Sequence, residues 1–311
     1  MSLGVLAVAC GGAEPDLDVE PSVSLSQDGD SRIVRHAFGT VEVPADPQRV
    51  AVGHPLLDLD PVLALGVEPI AGTVYDDRAF ALPSYLADDV GDGFTPVGTP
   101  GSPDLEALAA AEPDVIVAAA NDLGGIYEQL TEIAPVVAFP YEQPGWRAYL
   151  EAVGAALGRG SEAEAALAAY EQRVAEVAAL VDDPAEVSVS VVRVRPDGVR
   201  AIRTNSFSGS ILAEIGVDRP AGQREVGDLP FEDLSLERAE ELDADLLFLW
   251  GALEGADERR EEVVASPLWQ QLDVVRRDAV FEVPEEHWFV GGPSAAERVL
   301  DDVADAFETL P

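Results

Sequence analysis

The chain has 311 residues, enough for two domains with buried cores, and 47% of them are hydrophobic. Its 59 Asp and Glu residues against 19 basic residues give a formal net charge of −40, which makes nucleic acid and anionic membrane surfaces poor partners. All of the basic residues are Arg, so the Lys of a Walker A phosphate loop or of a pyridoxal Schiff base is absent.

The N-terminus carries the only cysteine of the chain. Residues 1–9 are small and apolar and lead directly to Cys10. This segment is similar to the end of a bacterial lipoprotein signal peptide, whose Cys becomes the lipidated first residue of the mature protein, although a basic start is missing. We expect residues 1–31 to be a signal remnant followed by a disordered tether. The alternative is an ordinary disordered terminus with a free thiol.

From residue 32 the chain alternates buried strands with amphipathic helices. That pattern is typical of a mostly parallel sheet covered on both faces. The segment IVRHAFGTVEVP predicts a hairpin, and four strands are predicted at PQRVAVG, VEPIAGTV, DVIVAAA and PVVAFP. Helices are predicted at 56–65, around Glu106, at 126–134 and at 146–157, with a long loop before Pro103. Together these elements predict a first α/β lobe at 32–160.

A single long helix is predicted over residues 161–181, near the middle of the chain. Ser161 and Glu164 have the spacing of a capping box. Apolar residues then recur at steps of three and four, at Leu167, Tyr170, Val174, Val177 and Val181. An Asp-Asp-Pro sequence ends the pattern. At 1.5 Å per residue the helix would be about 30 Å long, and we assign residues 161–183 to it as a bridge.

Residues 184–311 repeat the alternation and predict a second α/β lobe. The segment VSVSVVRVRPDGVRAIRT predicts a hairpin that turns at Pro-Asp-Gly. A helix at 209–215, a helix around Glu237 and the strands ADLLFLW and AVFEVP follow. A loop carrying His287 and Trp288 leads to a final helix at 294–310.

The two predicted lobes share one sequence feature. Glu106 and Glu237 each end a Leu-Glu pair, and each lies eight residues before an Asp that opens an apolar strand. The two Asp residues are Asp114 and Asp245. This match indicates two similar lobes and not a repeat array, although one matched stretch could also arise by chance.

Five segments resemble the ferric-siderophore substrate-binding proteins of ABC importers, over residues 33–310. They are VRHAFGTVEVPADPQRVAV, ALGVEPIAG, DLEALAAAEPDVIVAA, LSLERAEELDADLLFLW and HWFVGGPSAAERVLDDVADAF. The resemblance implies a class III periplasmic binding protein fold, with two mostly parallel-sheet α/β lobes bridged by one long rigid helix. It also implies a monomer without catalytic activity or cofactor, held outside the cytoplasm on the cell membrane through a lipid anchor. The ligand would be a ferric siderophore whose iron is held by the chelator.

Candidate ligand-binding residues follow the predicted strands, because ligands of open α/β sheets bind beyond the carboxyl ends of the strands. These positions hold His54, Tyr75, Arg78, Asn121 and Tyr141 in the first lobe, and Arg195, Arg203, Trp250 and Trp288 in the second. Arg and aromatic side chains suit a bulky chelate with anionic oxygens and an apolar rim. The alternatives are surface ion pairs for the two arginines of the second lobe, a core position for Trp250, and loop caps for His54 and Tyr75.

The resemblance also implies that Glu106 and Glu237 dock on the ABC permease subunits. Their alternative is an acid at a helix start, stabilised by the helix dipole. Haem or cobalamin is the alternative ligand of the same fold, and Tyr75, Tyr141 or His287 could offer an axial ligand to haem. A two-lobed enzyme that acts on a metal-bearing cofactor is an alternative from another class, and would need titratable groups converging in the cleft. With three His residues, we expect no His-rich metal site.

Overall fold

The computed structural model describes residues 13–75, 81–141, 145–251 and 256–310, except for the side chain of Asp257. The predictions for the leader, for Cys10 and for Arg78 lie outside these residues. No helix of the described residues is long and apolar enough to cross a membrane.

The chain begins with a three-stranded antiparallel sheet. Its strands are β1 (Ser22–Leu25), β2 (Ser31–His36) and β3 (Gly39–Pro44). The predicted hairpin is therefore confirmed, but the expected tether is wrong for residues 13–31. There β1 pairs with β2, and Val19 is buried in the core of the first lobe. The strand β1 lies at the edge of its sheet with one face in solvent, which explains the polar composition of this segment.

The first lobe is built on a parallel sheet. Its elements are β4 (Val50–Val52), α1 (Leu59–Ala64), β5 (Ala71–Gly72), β6 (Thr95–Pro96), β7 (Gly98–Thr99), β8 (Ser102–Pro103), α2 (Leu105–Ala110), β9 (Val115–Ala119), α3 (Tyr127–Thr131), β10 (Val136–Phe139) and α4 (Trp146–Leu157). The five strands are parallel, in the order β10-β9-β4-β5-β6. The predicted long loop thus contributes the edge strand β6 and the small ladder of β7 with β8.

The second lobe has a mixed sheet. The bridging helix before it is α5 (Gly160–Ala178). The elements of the second lobe are β11 (Val189–Arg195), β12 (Gly198–Ile202), α6 (Phe207–Ile215), α7 (Ala221–Arg224), β13 (Phe231–Leu234), β14 (Leu246–Trp250), α8 (Ala256–Ala265), α9 (Asp273–Arg276), β15 (Val280–Glu282), α10 (Glu285–Trp288) and α11 (Pro293–Phe307). The order is β13-β12-β11-β14-β15, with β11, β14 and β15 parallel and β12 antiparallel to both neighbours. The segment of Glu237 is a 3-10 helix, and His287 and Trp288 lie in α10 and not in a loop.

The bridging helix α5 packs on α4 and α1 of the first lobe and on α6 and α11 of the second. Its buried side chains are Ala163, Tyr170 and Val177. The predicted capping box is wrong, because Gly158 adopts φ 73° and the helix begins at Gly160, so Ser161 already lies in the first turn. There the Ser161 hydroxyl donates to Glu162 at 2.8 Å and not to a backbone partner.

The two central strand pairs are built alike. Asp114 precedes β9 and accepts hydrogen bonds from the N–H groups of Gln48 (2.8 Å) and Arg49 (3.1 Å), just before β4. Asp245 precedes β14 and accepts from the N–H (2.9 Å) and the hydroxyl (2.7 Å) of Ser188, just before β11. Each Asp side chain links the starts of two neighbouring parallel strands. Glu106 and Glu237, which lie eight residues before these Asp residues, therefore occupy equivalent places in the two lobes.

Candidate functional site

The lobes meet along α10 and the segment that follows it. The Tyr141 hydroxyl of the first lobe donates to the carbonyl of Gly291 at 3.1 Å. The N–H of Ser84 donates to the Glu286 carboxylate at 2.9 Å. Tyr141 follows β10, and Glu286 and Gly291 follow β15, so the lobes meet beyond the carboxyl ends of strands from both sheets, where ligands of α/β sheets bind.

A small pocket lies on the second lobe beside this boundary. It is lined by Arg193, Arg200, Ile202, Ser206, Pro230, Phe231, Trp250, Trp288 and Phe289. Arg193 of β11 and Arg200 of β12 are direct cross-strand partners, so both point to the same face of the sheet. The pocket therefore combines two guanidinium groups with aromatic walls.

Arg193 is a buried cation between two rings. Its Cζ lies 4.9 Å from the ring centroid of Trp250 and 4.5 Å from that of Phe289. Its Nη2 pairs with Glu285 at 2.8 Å, and the exposed fractions of the two side chains are 6% and 0%. A buried pair of this kind is costly to separate, so Arg193 is held in one position.

Arg200 is the more accessible of the two arginines. Its Cζ lies 3.9 Å from the centroid of the Phe231 ring, and its Nε donates to Asp233 at 2.8 Å. The side chain of Asp233 is 75% exposed, so water screens this pair and an oxygen of a ligand can compete with the carboxylate.

Trp250 adds a donor without a partner. Its side chain is 2% exposed, and within the described chain its Nε1–H has no hydrogen-bond partner. A buried unpaired donor costs about 1 to 3 kcal/mol, which an acceptor entering the pocket would recover. Ser206 caps α6 at the same pocket by accepting from the N–H of Gly209 at 2.9 Å. The pocket thus suits a flat, oxygen-bearing ligand.

His54 and Tyr75 form one unit in the first lobe. The Nδ1 of His54 accepts hydrogen bonds from the N–H groups of Leu56 (3.1 Å) and Leu57 (3.0 Å), so its Nε2 carries the ring proton. That nitrogen lies 3.2 Å from the Tyr75 hydroxyl, and the two rings meet edge to face. His54 therefore caps its loop, as one alternative proposed, and at the same time orients Tyr75.

Asn121 and Tyr141 also form a pair. The Asn121 side chain accepts from the N–H of Tyr141 at 2.9 Å. Burial raises the pKa of Tyr141, whose hydroxyl already donates to the second lobe. His287 contacts Asp302 through Nε2 at 2.8 Å. Neither Tyr141 nor His287 is therefore suited to be an axial ligand of haem.

The two arginines predicted for the second lobe, Arg195 and Arg203, do not line the pocket. Arg195 pairs with Asp197 at 3.1 Å within the hairpin turn, which is the surface ion pair of the alternative interpretation. Arg203 lies just after the end of β12 and pairs with Glu232 at 3.4 Å.

Trp288 lines the pocket, but its side chain belongs to the hydrophobic core. It is fully buried, stacks on Phe248 with ring centroids 4.5 Å apart, and donates to Asp302 at 2.7 Å. Its expected position in an open Gly-rich loop is wrong, because Glu285 to Trp288 form a helical turn that points the indole into the core.

Sequence reasoning missed Arg193, Arg200 and Phe231. A signal existed, because a two-residue turn at Pro196 and Asp197 fixes the hairpin register and makes 193 the partner of 200. The role of Phe231 had no such signal, since its short strand depends on pairing with β12.

A second pocket lies behind His54, inside the first lobe, and Asp58 lines it. The Asp58 carboxyl is fully buried and accepts a hydrogen bond from the Tyr149 hydroxyl. Its Oδ2 has no partner in the part of the chain that the structure describes, and burial raises the pKa of Asp58 well above its usual range. Asp58 thus supports the turn that holds His54, since its N–H donates to the carbonyl of His54 at 3.1 Å.

The two acids expected to dock on a permease are exposed. Glu106 lies in the first turn of α2, whose N-cap Asp104 accepts from the N–H groups of Glu106 and Ala107. Glu237 lies in the equivalent 3-10 helix of the second lobe. Neither acid forms an ion pair within the described ranges, so both are available to a partner.

The family model described as "Periplasmic binding protein" matches residues 62–287. The probable siderophore-binding lipoprotein YfiY of Bacillus subtilis is 31% identical over 99% of this chain and 95% of its own length. The Fe(3+)-citrate-binding protein YfmC of the same organism is 26% identical over 85% of this chain and 81% of its own. The structure of Staphylococcus aureus SirA complexed with staphyloferrin B superposes with a TM-score of 0.76 and 26% identity, covering 89% of this chain and 98% of SirA.

Proposed function

The chain belongs to the periplasmic binding protein family, and we propose that it is the substrate-binding protein of an ABC importer that captures a ferric siderophore between its lobes. The observation that carries the proposal is the pocket of Arg193, Arg200 and Trp250 at the lobe boundary. Its guanidinium and indole donors meet oxygen atoms of a chelate, and its aromatic rings cover the apolar rim. Relatives named for ferric citrate and for siderophores support the same ligand class.

In this proposal the chelator holds the iron, and the protein needs no cofactor and performs no reaction. His54 and Tyr75 face the ligand from the first lobe, and Arg200 and Trp250 face it from the second. Because Arg193 and Arg200 both have acidic partners, the second-lobe wall carries little net positive charge. With a total charge of −40 this favours a neutral or cationic hydroxamate-type chelate over a trianionic catecholate.

We further propose that Cys10 is lipidated and holds the protein on the outer face of the cell membrane. The support is the small apolar run before Cys10 and the lipoprotein named among the relatives. Expression of the full chain and of Cys10→Ser with a labelled fatty acid tests this, since only the wild-type protein should carry the label and partition with membranes.

Titration of tryptophan fluorescence with ferric hydroxamates, catecholates and citrate tests the ligand class, with haem and cobalamin as competing ligands. Trp250 reports from the pocket, and Trp250→Phe gives the background of the other three Trp residues. We expect micromolar or tighter binding of one ferric siderophore, and at least tenfold weaker binding by Arg200→Gln. Binding of haem or cobalamin in preference to every siderophore would overturn the proposal.

A further inference from the structure

The pocket behind His54, which we call the Asp58 pocket, lies at the carboxyl end of the first-lobe sheet. Residues at or just beyond the ends of β4, β5, β6 and β9 line it, namely Val52, Thr73, Val97 and Ala119. Ligands of α/β sheets bind beyond these ends, so the Asp58 pocket adjoins the wall of the cleft that carries His54 and Tyr75. It is separate from the second-lobe pocket of Arg200 and Trp250.

The walls of the Asp58 pocket are aliphatic. Side chains of α2, β9, α3 and the turn between β9 and α3 form them, at Leu108, Ile116, Leu123, Ile126 and Leu130. Among the described residues that line this pocket there is no Phe, Tyr or Trp, in contrast to the pocket of the second lobe. Gly101 and Asp122 are exposed and form the rim, so the pocket opens to solvent. Such walls suit a hydrocarbon chain that enters from the cleft.

One carboxylate oxygen at this pocket lacks a partner. Asp58 is fully buried and lines the pocket, and its Oδ2 has no hydrogen-bond partner within the described part of the chain. A Cβ added at Gly53 would lie 3.2 Å from this oxygen and 2.8 Å from the Cβ of Ala118. Because Gly53 and Ala118 also line the pocket, Oδ2 lies at its wall, in space that only a glycine leaves open.

The charged groups around this oxygen are acidic. Tyr149 donates to the other carboxylate oxygen of Asp58, and Asp122 stands at the rim. Burial, and then the charge of Asp122, raise the pKa of Asp58 well above its usual range. No Arg occurs among the described lining residues, so no cation of the protein balances the two acids there. Asp58 therefore keeps a proton until a cation from outside supplies the missing charge.

We propose that the Asp58 pocket binds a primary ammonium group on a short aliphatic arm of the chelate, with Asp58 as the buried acceptor and Asp122 at the entrance. The inference rests on the proposed function and narrows the ligand class to ferric hydroxamates with a cationic arm. The aliphatic walls cover the methylene groups, and the carboxylate accepts charge-assisted hydrogen bonds from the ammonium.

A metal ion is a poorer occupant of the same pocket. Hard cations require six or more oxygen ligands, and most of the side chains that line this pocket are aliphatic. Within the described ranges no group of three His, Cys, Asp or Glu side chains could hold a metal ion. An ammonium group needs fewer partners, and its hydrocarbon stem matches the walls.

Binding of the arm should release a proton. In the empty protein a proton on Asp58 takes the place of a partner, and the entering ammonium replaces it, so that the proton leaves to solvent. Asp58→Asn keeps the shape of the side chain and an acceptor for Tyr149, but it cannot become negative. This variant therefore removes the charge on which the ammonium depends and retains the packing.

Isothermal titration with two ferric hydroxamates tests the proposal. One is a linear ferric trihydroxamate with a free terminal amine, and the other is its N-acetyl derivative, which keeps the iron centre and loses the positive charge. We expect acetylation to raise the Kd at least about tenfold for wild type and less than about twofold for Asp58→Asn. Only the amine ligand should release a proton, which makes its binding enthalpy depend on the ionisation enthalpy of the buffer.

Two further variants sharpen the comparison. Glu128→Gln removes an exposed acid of α3 that does not line the pocket, and it should show the same effect of acetylation as wild type. Asp122→Asn changes the exposed rim without disturbing the core, and it should reduce the effect of acetylation at least about twofold. The second variant keeps the test decisive if Asp58→Asn does not fold.

Equal Kd values of the two ligands for wild type would show that the pocket holds only water or the proton of Asp58. An effect of acetylation that is as large in Asp58→Asn and Asp122→Asn as in wild type would place the amine elsewhere in the cleft. Binding of another ferric siderophore but of neither hydroxamate would overturn this inference and leave the proposed function standing. If no ferric siderophore binds in the fluorescence titration, the proposed function fails as well.

Discussion

Several buried polar atoms near the proposed cleft lack a hydrogen-bond partner in the described chain, among them the indole N–H of Trp250 and the Oδ2 of Asp58. Folded proteins pair nearly all such groups, because an unpaired buried donor or acceptor costs about 1 to 3 kcal/mol. Trp250 lines the pocket of the second lobe, where we expect a ligand to supply the acceptor. Asp58 lies behind His54, where a proton can take the place of a partner.

Trp250→Phe removes the indole N–H and keeps an aromatic ring. We expect the Kd for the ferric siderophore to rise about five- to tenfold, equivalent to about 1 kcal/mol, with little change in melting temperature. Isothermal titration measures the affinity without relying on tryptophan. The matched variant is Trp269→Phe, at a buried Trp that does not line the pocket, and it should leave the Kd nearly unchanged. Equal affinity of Trp250→Phe and wild type would show that no ligand atom accepts from this indole.

Asp58→Asn tests the buried carboxyl through pH. Because the pKa of Asp58 is raised in the folded state, the folded protein retains a proton that the unfolded chain releases above its ordinary pKa of about 3.9. Its contribution to stability is therefore complete below that value and is lost as pH rises towards the folded pKa. We expect Asp58→Asn to gain stability over wild type by up to about 1.4 kcal/mol for each pH unit in this window. Urea unfolding at pH 4.5 and pH 7 measures the difference in free energy of unfolding between Asp58→Asn and wild type. A difference that is the same at both pH values would contradict a raised pKa for Asp58.

At the scale of elements, helices and hairpins were easier to predict from the sequence than short edge strands. The helix α4 has the predicted bounds 146–157, and the hairpin of β11 and β12 turns where Pro-Asp-Gly predicts, because periodicity and turn residues act locally. The strands β1, β6 and β13 were missed because each has two to four residues and exists only through its partner. The candidate site followed the same division. Positions at strand ends were predictable, but the ion pair of Arg203 and the burial of Trp288 depend on tertiary packing.

The last helix, α11, begins at the lobe boundary, where a buried acid of the first lobe caps it. Asp60 in α1 accepts hydrogen bonds from the N–H groups of Gly292 (2.8 Å), Ser294 (3.1 Å) and Ala295 (3.0 Å). Backbone N–H groups at the start of a helix have no acceptor within the helix, so they attract a carboxylate. Asp60 thus caps the start of α11 and also joins the two lobes.

Asp60→Ala should therefore destabilise the whole protein by about 3 kcal/mol, because it leaves several buried N–H groups without an acceptor. The matched control is Asp104→Ala, which removes the exposed N-cap of α2 and should cost about 1 kcal/mol. Urea unfolding followed by fluorescence and by circular dichroism gives both values. Similar losses in the two variants would show that Asp60 is an ordinary cap without a role between the lobes.

At the scale of the molecule, one buried hydrophobic cluster includes residues of both lobes and of α5. Arg147 of α4 forms two hydrogen bonds to Glu214 of α6, and the Tyr170 hydroxyl of α5 donates to the same carboxylate at 2.9 Å. Together with the hydrogen bonds of Asp60 to the start of α11, these contacts link the lobes at two places. We therefore expect their relative position to change little when ligand binds, so that the permease recognises a nearly fixed pair of docking points.

We expect Glu106 and Glu237 to be those points, and their joint replacement by Ala would separate docking from binding. Both acids are exposed and lie outside the pocket, so the double variant should keep the siderophore Kd and the melting temperature of wild type. Charge-assisted contacts with Arg govern association rate and register, so stimulation of the importer ATPase in proteoliposomes should fall at least tenfold. A double variant of Glu112 and Glu240, two exposed acids in the same regions, controls for the loss of two charges and should stimulate normally. Full stimulation by the Glu106 and Glu237 variant would leave these residues as acids that stabilise the starts of their helices.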